Sequence, residues 1–164
     1  MILAETIRET NAFKNIANNI TQVSYYESKD AAPEIIKLVK MDSKAFGSAI
    51  EKIIIEHYCL EKRVNTQHDA RLGDKKIEIK AARYWAGQDN CKWQHIEKNH
   101  DYEYILFSLV DFNHIRCWLA KKDTVIQHMT PQGLQGNWVD KVTILPHIHE
   151  ITTKEHLQTL INTI

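Results

Sequence analysis

Three cysteines in 164 residues (Cys59, Cys91 and Cys117) make no CxxC pair, and their odd number argues against a disulfide framework. With only three prolines, five glycines and no low-complexity tract, the chain reads as folded along most of its length. No apolar run approaches the ~20 residues of a membrane span. Met1-Ile2-Leu3-Ala4-Glu5-Thr6-Ile7-Arg8 lacks the basic start, long apolar stretch and cleavage site of a signal peptide. A soluble, reduced, intracellular protein is expected. Walker, GxSxG and dinucleotide-binding fingerprints are all missing. There is also no excess of charge, since 21 basic residues balance 21 acidic ones, and nucleic-acid-binding domains are usually basic.

What is present is unevenly placed. Residues 60–83 carry a net charge of +3, whereas the stretches before and after are slightly acidic. The length suits one domain over 1–164, too short for two separate cores. Periodicity predicts helices over the first 20 residues, over 33–40 behind Pro33, and from Asp42 or Ser43 to about Leu60. The third carries a stripe of Phe46, Ala49, Ile50, Ile53, His57 and Leu60. Residues 22–32 read as a loop, and Asp89–His100 as containing a short helix. Strands are expected at 66–72 and 75–82 around Gly73-Asp74, at Tyr102–Val110, at His114–Ala120 and near Val142–Leu145. Tyr104-Ile105-Leu106-Phe107, apolar on both faces, reads as a central strand covered on both sides. Thr130–Trp138 reads as a loop. A last helix follows a Thr152/Glu155 capping box, with Leu157, Leu160, Ile161 and Ile164 at helical spacing. The fold class is therefore α/β, a mixed sheet flanked by helices.

The hairpin Gln67–Ala82 carries the chemistry. A two-residue type II′ turn at Gly73-Asp74 opposes residues whose numbers sum to 147. Asp69 then faces Glu78, Gln67 faces Lys80 and Arg71 faces Lys76, all on one water-facing side. His68, Ala70, Ile77 and Ile79 line the apolar side. Opposed carboxylates repel unless a cation lies between them, and two convergent carboxylates suit magnesium. Lys80 on the same side can contact a phosphate or an attacking water. Asp69, Glu78 and Lys80 thus make a candidate metal-dependent site for phosphodiester hydrolysis.

His68-Asp69-Ala70 followed by Ile77-Glu78-Ile79-Lys80 resembles the bipartite motif of the PD-(D/E)xK nuclease superfamily, with histidine where that motif has proline. Gly47-Ser48-Ala49-Ile50-Glu51 resembles the family's Gly-x-x-x-Glu helix, and Tyr104–Leu109 its central strand. The likeness covers about residues 42–120 and implies a restriction-endonuclease-like core. Residues 121–164 are then left as a loop, strand and helix for DNA recognition. It implies Mg²⁺, with Mn²⁺ as a substitute, held by Asp69, Glu78 and the main-chain carbonyl of Ile79. Lys80 would orient or activate water, and Glu51, with Glu56 as its fallback, would hold a second metal or a water. The implied reaction is hydrolysis of DNA to a 5′-phosphate and a 3′-hydroxyl.

The implied protein is a type II restriction endonuclease, cytoplasmic, of prokaryotic or viral origin. It would cut double-stranded DNA as a homodimer beside a companion DNA methyltransferase acting on the same site. The alternatives are a structure-specific repair or junction-resolving nuclease of the same fold, and a non-catalytic DNA-binding or scaffold protein. Arg71, Lys75, Lys76 and Arg83 are candidates for phosphate contact. Gln132, Gln135 and Asn137 in the 127–138 loop are candidates for base contact, as is the set Tyr84, Trp85, Gln88, Asn90, Lys92 and Gln94. His147-x-His149 lacks a third ligand for zinc, and the cysteines read as buried apolar residues.

Overall fold

The structure, a computed structural model, describes residues 1–11, 22–131, 133–134 and 136–164. Helices α1 (Ala4–Glu9), α2 (Gln22–Ser28), α3 (Pro33–Val39) and α4 (Ser43–His57) come first. Strands β1 (Glu61–Lys62), β2 (Ala70–Leu72), β3 (Lys75–Arg83), β4 (Lys92–Trp93), β5 (Tyr104–Val110) and β6 (Ile115–Lys121) follow. The chain closes with α5 (Lys122–His128), β7 (Val139–Asp140), α6 (Lys141–Ile144), β8 (His149–Glu150) and α7 (Lys154–Thr163). Six strands form one sheet in the order β1-β2-β3-β5-β6-β8, and β4 pairs with β7 in a separate ribbon. Only β3 and β5 are parallel, so the sheet is mixed, as the sequence predicts. Every residue of β5 is buried, which fits a strand covered on both faces. Among the described residues no helix is long and apolar enough to cross a membrane.

The hairpin register follows the turn. Ala70 pairs with Ile77, Arg71 with Lys76 and Leu72 with Lys75, and Gly73 alone takes a positive φ (63°) in the turn. Beyond Ala70 the ladder stops. The Asp69 N–H donates to Ile77 O at 3.0 Å, and the Asp69 carboxylate accepts from Ile79 N at 2.7 Å. The expected opposed pairs Asp69–Glu78 and Gln67–Lys80 are therefore not ladder pairs, because the aspartate side chain takes the amide that a longer β2 would use. β3 consequently has an open edge from Glu78 to Arg83 on its β2 side.

Helix α4 begins where its cap chemistry says it should, since the Asp42 side chain accepts from Ala45 N at 2.9 Å. Phe46, Ile50 and Ile54 are buried. The Arg83 guanidinium lies 4.7 Å from the Phe46 ring, so the alternation of a strand turns Ile77, Ile79, Ala81 and Arg83 toward α4. Glu78 and Lys80 point to the opposite face. Within α4, Gly47 has no atom within 4 Å of where a Cβ would stand. A glycine inside a helix costs about 1 kcal/mol relative to alanine.

Five local expectations fail. The presumed loop 22–32 holds α2, because Tyr26 buries itself between Tyr84 and Phe112, a tertiary contact with no local period. Asp89–His100 holds strand β4 instead of a helix: buried Cys91 and Trp93 alternate with partly exposed Lys92 and Gln94, a period of two. Val142–Leu145 is not a strand, since the Asp140 side chain caps α6 and Pro146 starts a 3₁₀ turn. Cys59 is exposed at φ +52° where the chain leaves α4, although Cys91 and Cys117 are buried. The cap of α7 is Thr153, with the His156 ring reaching back to the Thr152 N–H, a histidine version of the capping box. Of the helix expected over the first 20 residues, Ala4–Glu9 is helical and 12–20 lie outside the described residues.

The buried Tyr26 hydroxyl donates to Val110 O and accepts from Tyr84 N, tying α2 to the ends of β3 and β5. Tyr26→Phe leaves a buried amide unpaired. It is expected to cost about 1–3 kcal/mol, read from the urea midpoint.

Candidate active site

Asp69, at the mouth of β2, and Glu78, inside β3, converge at the start of the open edge. The Asp69 carboxyl lies close enough to act on that of Glu78, and Lys80 Nζ lies 3.5 Å from Glu78 Oε2. Contrary to the water-facing pattern expected, Glu78 is only 7% exposed. Burial, first, and a hydrogen bond that the protonated Glu78 carboxyl gives to Asp69, second, push the Glu78 carboxyl up to about 8, with Lys80 pulling the other way. A buried acid held protonated beside a second carboxyl is a place where a cation can take over from the proton. Because Ile79 sends its N–H to Asp69, its carbonyl points along the same edge of the strand. Two carboxylates and one carbonyl are the hard oxygen donors that Mg²⁺ takes, with its remaining positions left to water and phosphate. The donor set thus fits magnesium. Among the described residues no group of three or more His, Cys, Asp or Glu side chains that could hold a metal ion is present, so the donors here are two carboxylates and one carbonyl.

Glu51 projects from α4 toward this edge. Together with Asp69 and Arg63 it lines a cavity of about 510 Å³. Its carboxyl is pushed up by burial and by the charge of Asp69, against Arg63 and Lys80. Glu56 is exposed on the same helix.

Lys80 is held by a residue that the sequence did not flag. Its ammonium donates to the carbonyl of His95 at 2.9 Å. His95 stands at φ +57°, unusual for a side chain of its size. Gly136 packs against it, and Asn137 bonds Ile96 through both backbone and side chain. No local pattern announces such a turn, which is made by two distant loops meeting.

His68 is buried with Ala70, Ile77 and Ile79, as the hairpin pattern requires. Its Nε2 accepts from Val64 N at 3.0 Å, so the neutral ring carries its proton on Nδ1.

The candidate DNA contacts divide. Arg71 is taken up by Glu61 at 2.8 Å and by the carbonyls of Lys62 and Gly73. Lys76 pairs with Asp101 at 2.7 Å, and Lys75 stands near the turn beside Tyr102 and Glu103. Arg83, half-buried, donates to Val39 O and Met41 O, which locks the α3–α4 turn. Tyr84 is corrected outright: at 4% exposure, stacked on Phe112, it belongs to the core. Asn137 spends its amide on Ile96 O, and Gln132 and Gln135 lie outside the described residues. Gln94 stays half-exposed beside Lys92, whose ammonium lies 3.9 Å from the Trp138 ring and 5.6 Å from that of Trp85. His147 stacks on His128 at 3.9 Å instead of presenting a chelating pair with His149.

Compared with known proteins, the chain matches no family model and no curated sequence.

Proposed function

We propose that the protein is a magnesium-dependent DNA endonuclease built on a restriction-endonuclease-like core of the PD-(D/E)xK kind. The observation that carries this reading is buried Glu78, its carboxyl pushed up beside that of half-buried Asp69, with Lys80 at 3.5 Å. Such an arrangement is costly for a structural role and useful for a catalytic one. Asp69, Glu78 and the Ile79 carbonyl would hold Mg²⁺, or Mn²⁺ in its place. The metal, when bound, supplies Lewis-acid polarisation of the scissile phosphate and neutralises its charge. Lys80 orients the attacking water and stabilises negative charge building on the phosphate. Glu51 accepts a hydrogen bond from that water or adds a donor at the rim. The products would carry a 5′-phosphate and a 3′-hydroxyl.

Two substrate readings follow from this chemistry. In the first the protein is a type II restriction endonuclease, acting in the cytoplasm as a homodimer so that two sites cut both strands, alongside a methyltransferase of the same specificity. In the second it is a structure-specific repair or junction nuclease. Incubation with plasmid and branched DNA, with and without magnesium, tests both. Discrete plasmid fragments support the first, and cutting of branched DNA regardless of sequence supports the second. No magnesium-dependent cleavage, or cleavage untouched by Lys80→Ala, would sink the catalytic reading and leave a DNA-binding or scaffold protein.

A further inference from the structure

We propose that the groove along the open edge of β3 holds one unpaired nucleotide of the DNA strand next to the phosphate at Glu78 and Lys80. This placement beside a scissile phosphate rests on the second nuclease reading above, the structure-specific one, whose substrates carry unpaired nucleotides. The groove itself stands on four observations.

The first is position. β2 leaves β3 after Ile77, and the groove wraps the bared edge at Ala81 and Ala82, one residue past Lys80. His95, whose carbonyl holds Lys80, lines it too. A strand with its phosphate at Glu78 and Lys80 would lay its neighbouring nucleotide here.

The second is size. At about 300 Å³ the groove sits at the lower end of small-ligand sites. It lies between α4 and the 85–95 segment, with room on the scale of one nucleotide.

The third is chemistry. Trp85 offers an indole for stacking. Lys92 lies between the Trp85 and Trp138 rings. Gln94 brings an amide that can meet a base edge, while the Gln22 amide is held by Tyr84 O. Aromatic faces interleaved with cations are how proteins hold single strands. Arg71 and Lys76 are paired with Glu61 and Asp101 at the surface, and the Arg83 guanidinium, which lines the groove, is bonded to Val39 O.

The fourth is Gly47. It lines the groove from inside α4, a position where glycine weakens a helix and where no neighbouring atom forbids a larger residue. The empty volume above it is floor space in the groove.

The test uses the full-length chain in EDTA, with binding read as fluorescence anisotropy of a labelled single-stranded oligodeoxynucleotide and of a blunt duplex of equal length. Tenfold or stronger preference for the single strand is expected. Gly47→Leu should fill the floor and weaken single-strand binding at least tenfold while melting no lower than wild type, because leucine is the better helix former. Trp85→Ala should cost about 5- to 100-fold, and Trp85→Phe should keep most of the affinity. Equal affinity for the duplex would overturn the inference, as would wild-type binding by both Gly47→Leu and Trp85→Ala. Because binding is measured without metal, loss of the nuclease reading would appear only as absent cleavage. Failure of the groove would appear as unaltered binding by variants of an enzyme that still cuts.

Discussion

Glu78→Gln is expected to abolish magnesium-dependent cleavage and at the same time to raise the melting temperature in EDTA at about pH 8. The two effects share one cause. In the wild-type protein a buried carboxyl, 7% exposed, must share space with Asp69. The glutamine amide can donate to the Asp69 carboxylate, as the Glu78 proton does, without ever bearing charge. The gain is of order 1–4 kcal/mol, or roughly 2–4 °C per kcal/mol for a chain of this size. The same change removes one of two carboxylates from the donor set, and cleavage should fall ~10³-fold or more. Lys80→Ala should match that loss by a different route. It removes the ammonium 3.5 Å from Glu78 Oε2 that favours the charged acid. Cleavage rate against magnesium concentration separates the routes: Lys80→Ala should both raise the half-saturating concentration and lower the plateau. Cleavage unchanged in both variants would show that hydrolysis takes place elsewhere.

The parts of the fold that were legible in the sequence are those governed by local chemistry. Gly73 fixed a turn, the turn fixed a register, and Ala70 does pair with Ile77. Asp42 announced α4, and the apolar run from Tyr104 announced the buried strand at the centre of the sheet. The misread segments are ordered by distant partners. Tyr26 is helical because its hydroxyl bridges two strand ends far along the chain. Residues 91–94 alternate in burial, yet their β partner lies some 46 positions away, at Val139–Asp140. Period alone over four residues could not outweigh the polar, helix-compatible run around it.

The candidate site shows the same division. Asp69, Glu78 and Lys80 were legible as types at a spacing, and the structure brings all three to one end of the open edge. Their electrostatic state was not. A ladder drawn from the turn leaves Glu78 in water, whereas the early departure of β2 lets the Asp69 carboxylate fold back onto Ile79 N, and Glu78 ends up dry. The cationic residues 60–83 read as a patch for phosphates, yet Arg71, Lys76 and Arg83 are consumed by Glu61, Asp101 and backbone carbonyls. Charge counts register what a segment carries; only the tertiary fold decides which charges still face a ligand.

The metal-free protein should lose stability as the pH rises from about 5 to about 8, and magnesium should restore it most at the upper end. The Glu78 carboxyl stands at about 8 in the folded chain, against an ordinary value of 4.5. Between those values the folded state binds the proton and the unfolded state does not. Stability therefore falls with rising pH throughout that window, and the loss is complete above about pH 8. Glu51, also raised, adds to the same slope at its lower end. The Asp101 carboxyl, lowered by its hydrogen bonds from Lys76 and Asn65, acts only at more acidic pH and leaves the window alone. Magnesium needs both carboxylates charged, so below about pH 8 it must expel the Glu78 proton, and its affinity should rise about tenfold per pH unit until the proton is gone. Thermal melts at pH 6, 7, 8 and 9, in EDTA and in saturating magnesium, give the measurement. The difference between the two curves should be small at pH 6 and reach its full height by about pH 8. Glu78→Gln should flatten both the fall in EDTA and the gain with magnesium. A magnesium gain equal at all four pH values would mean that the cation binds away from the Asp69–Glu78 pair.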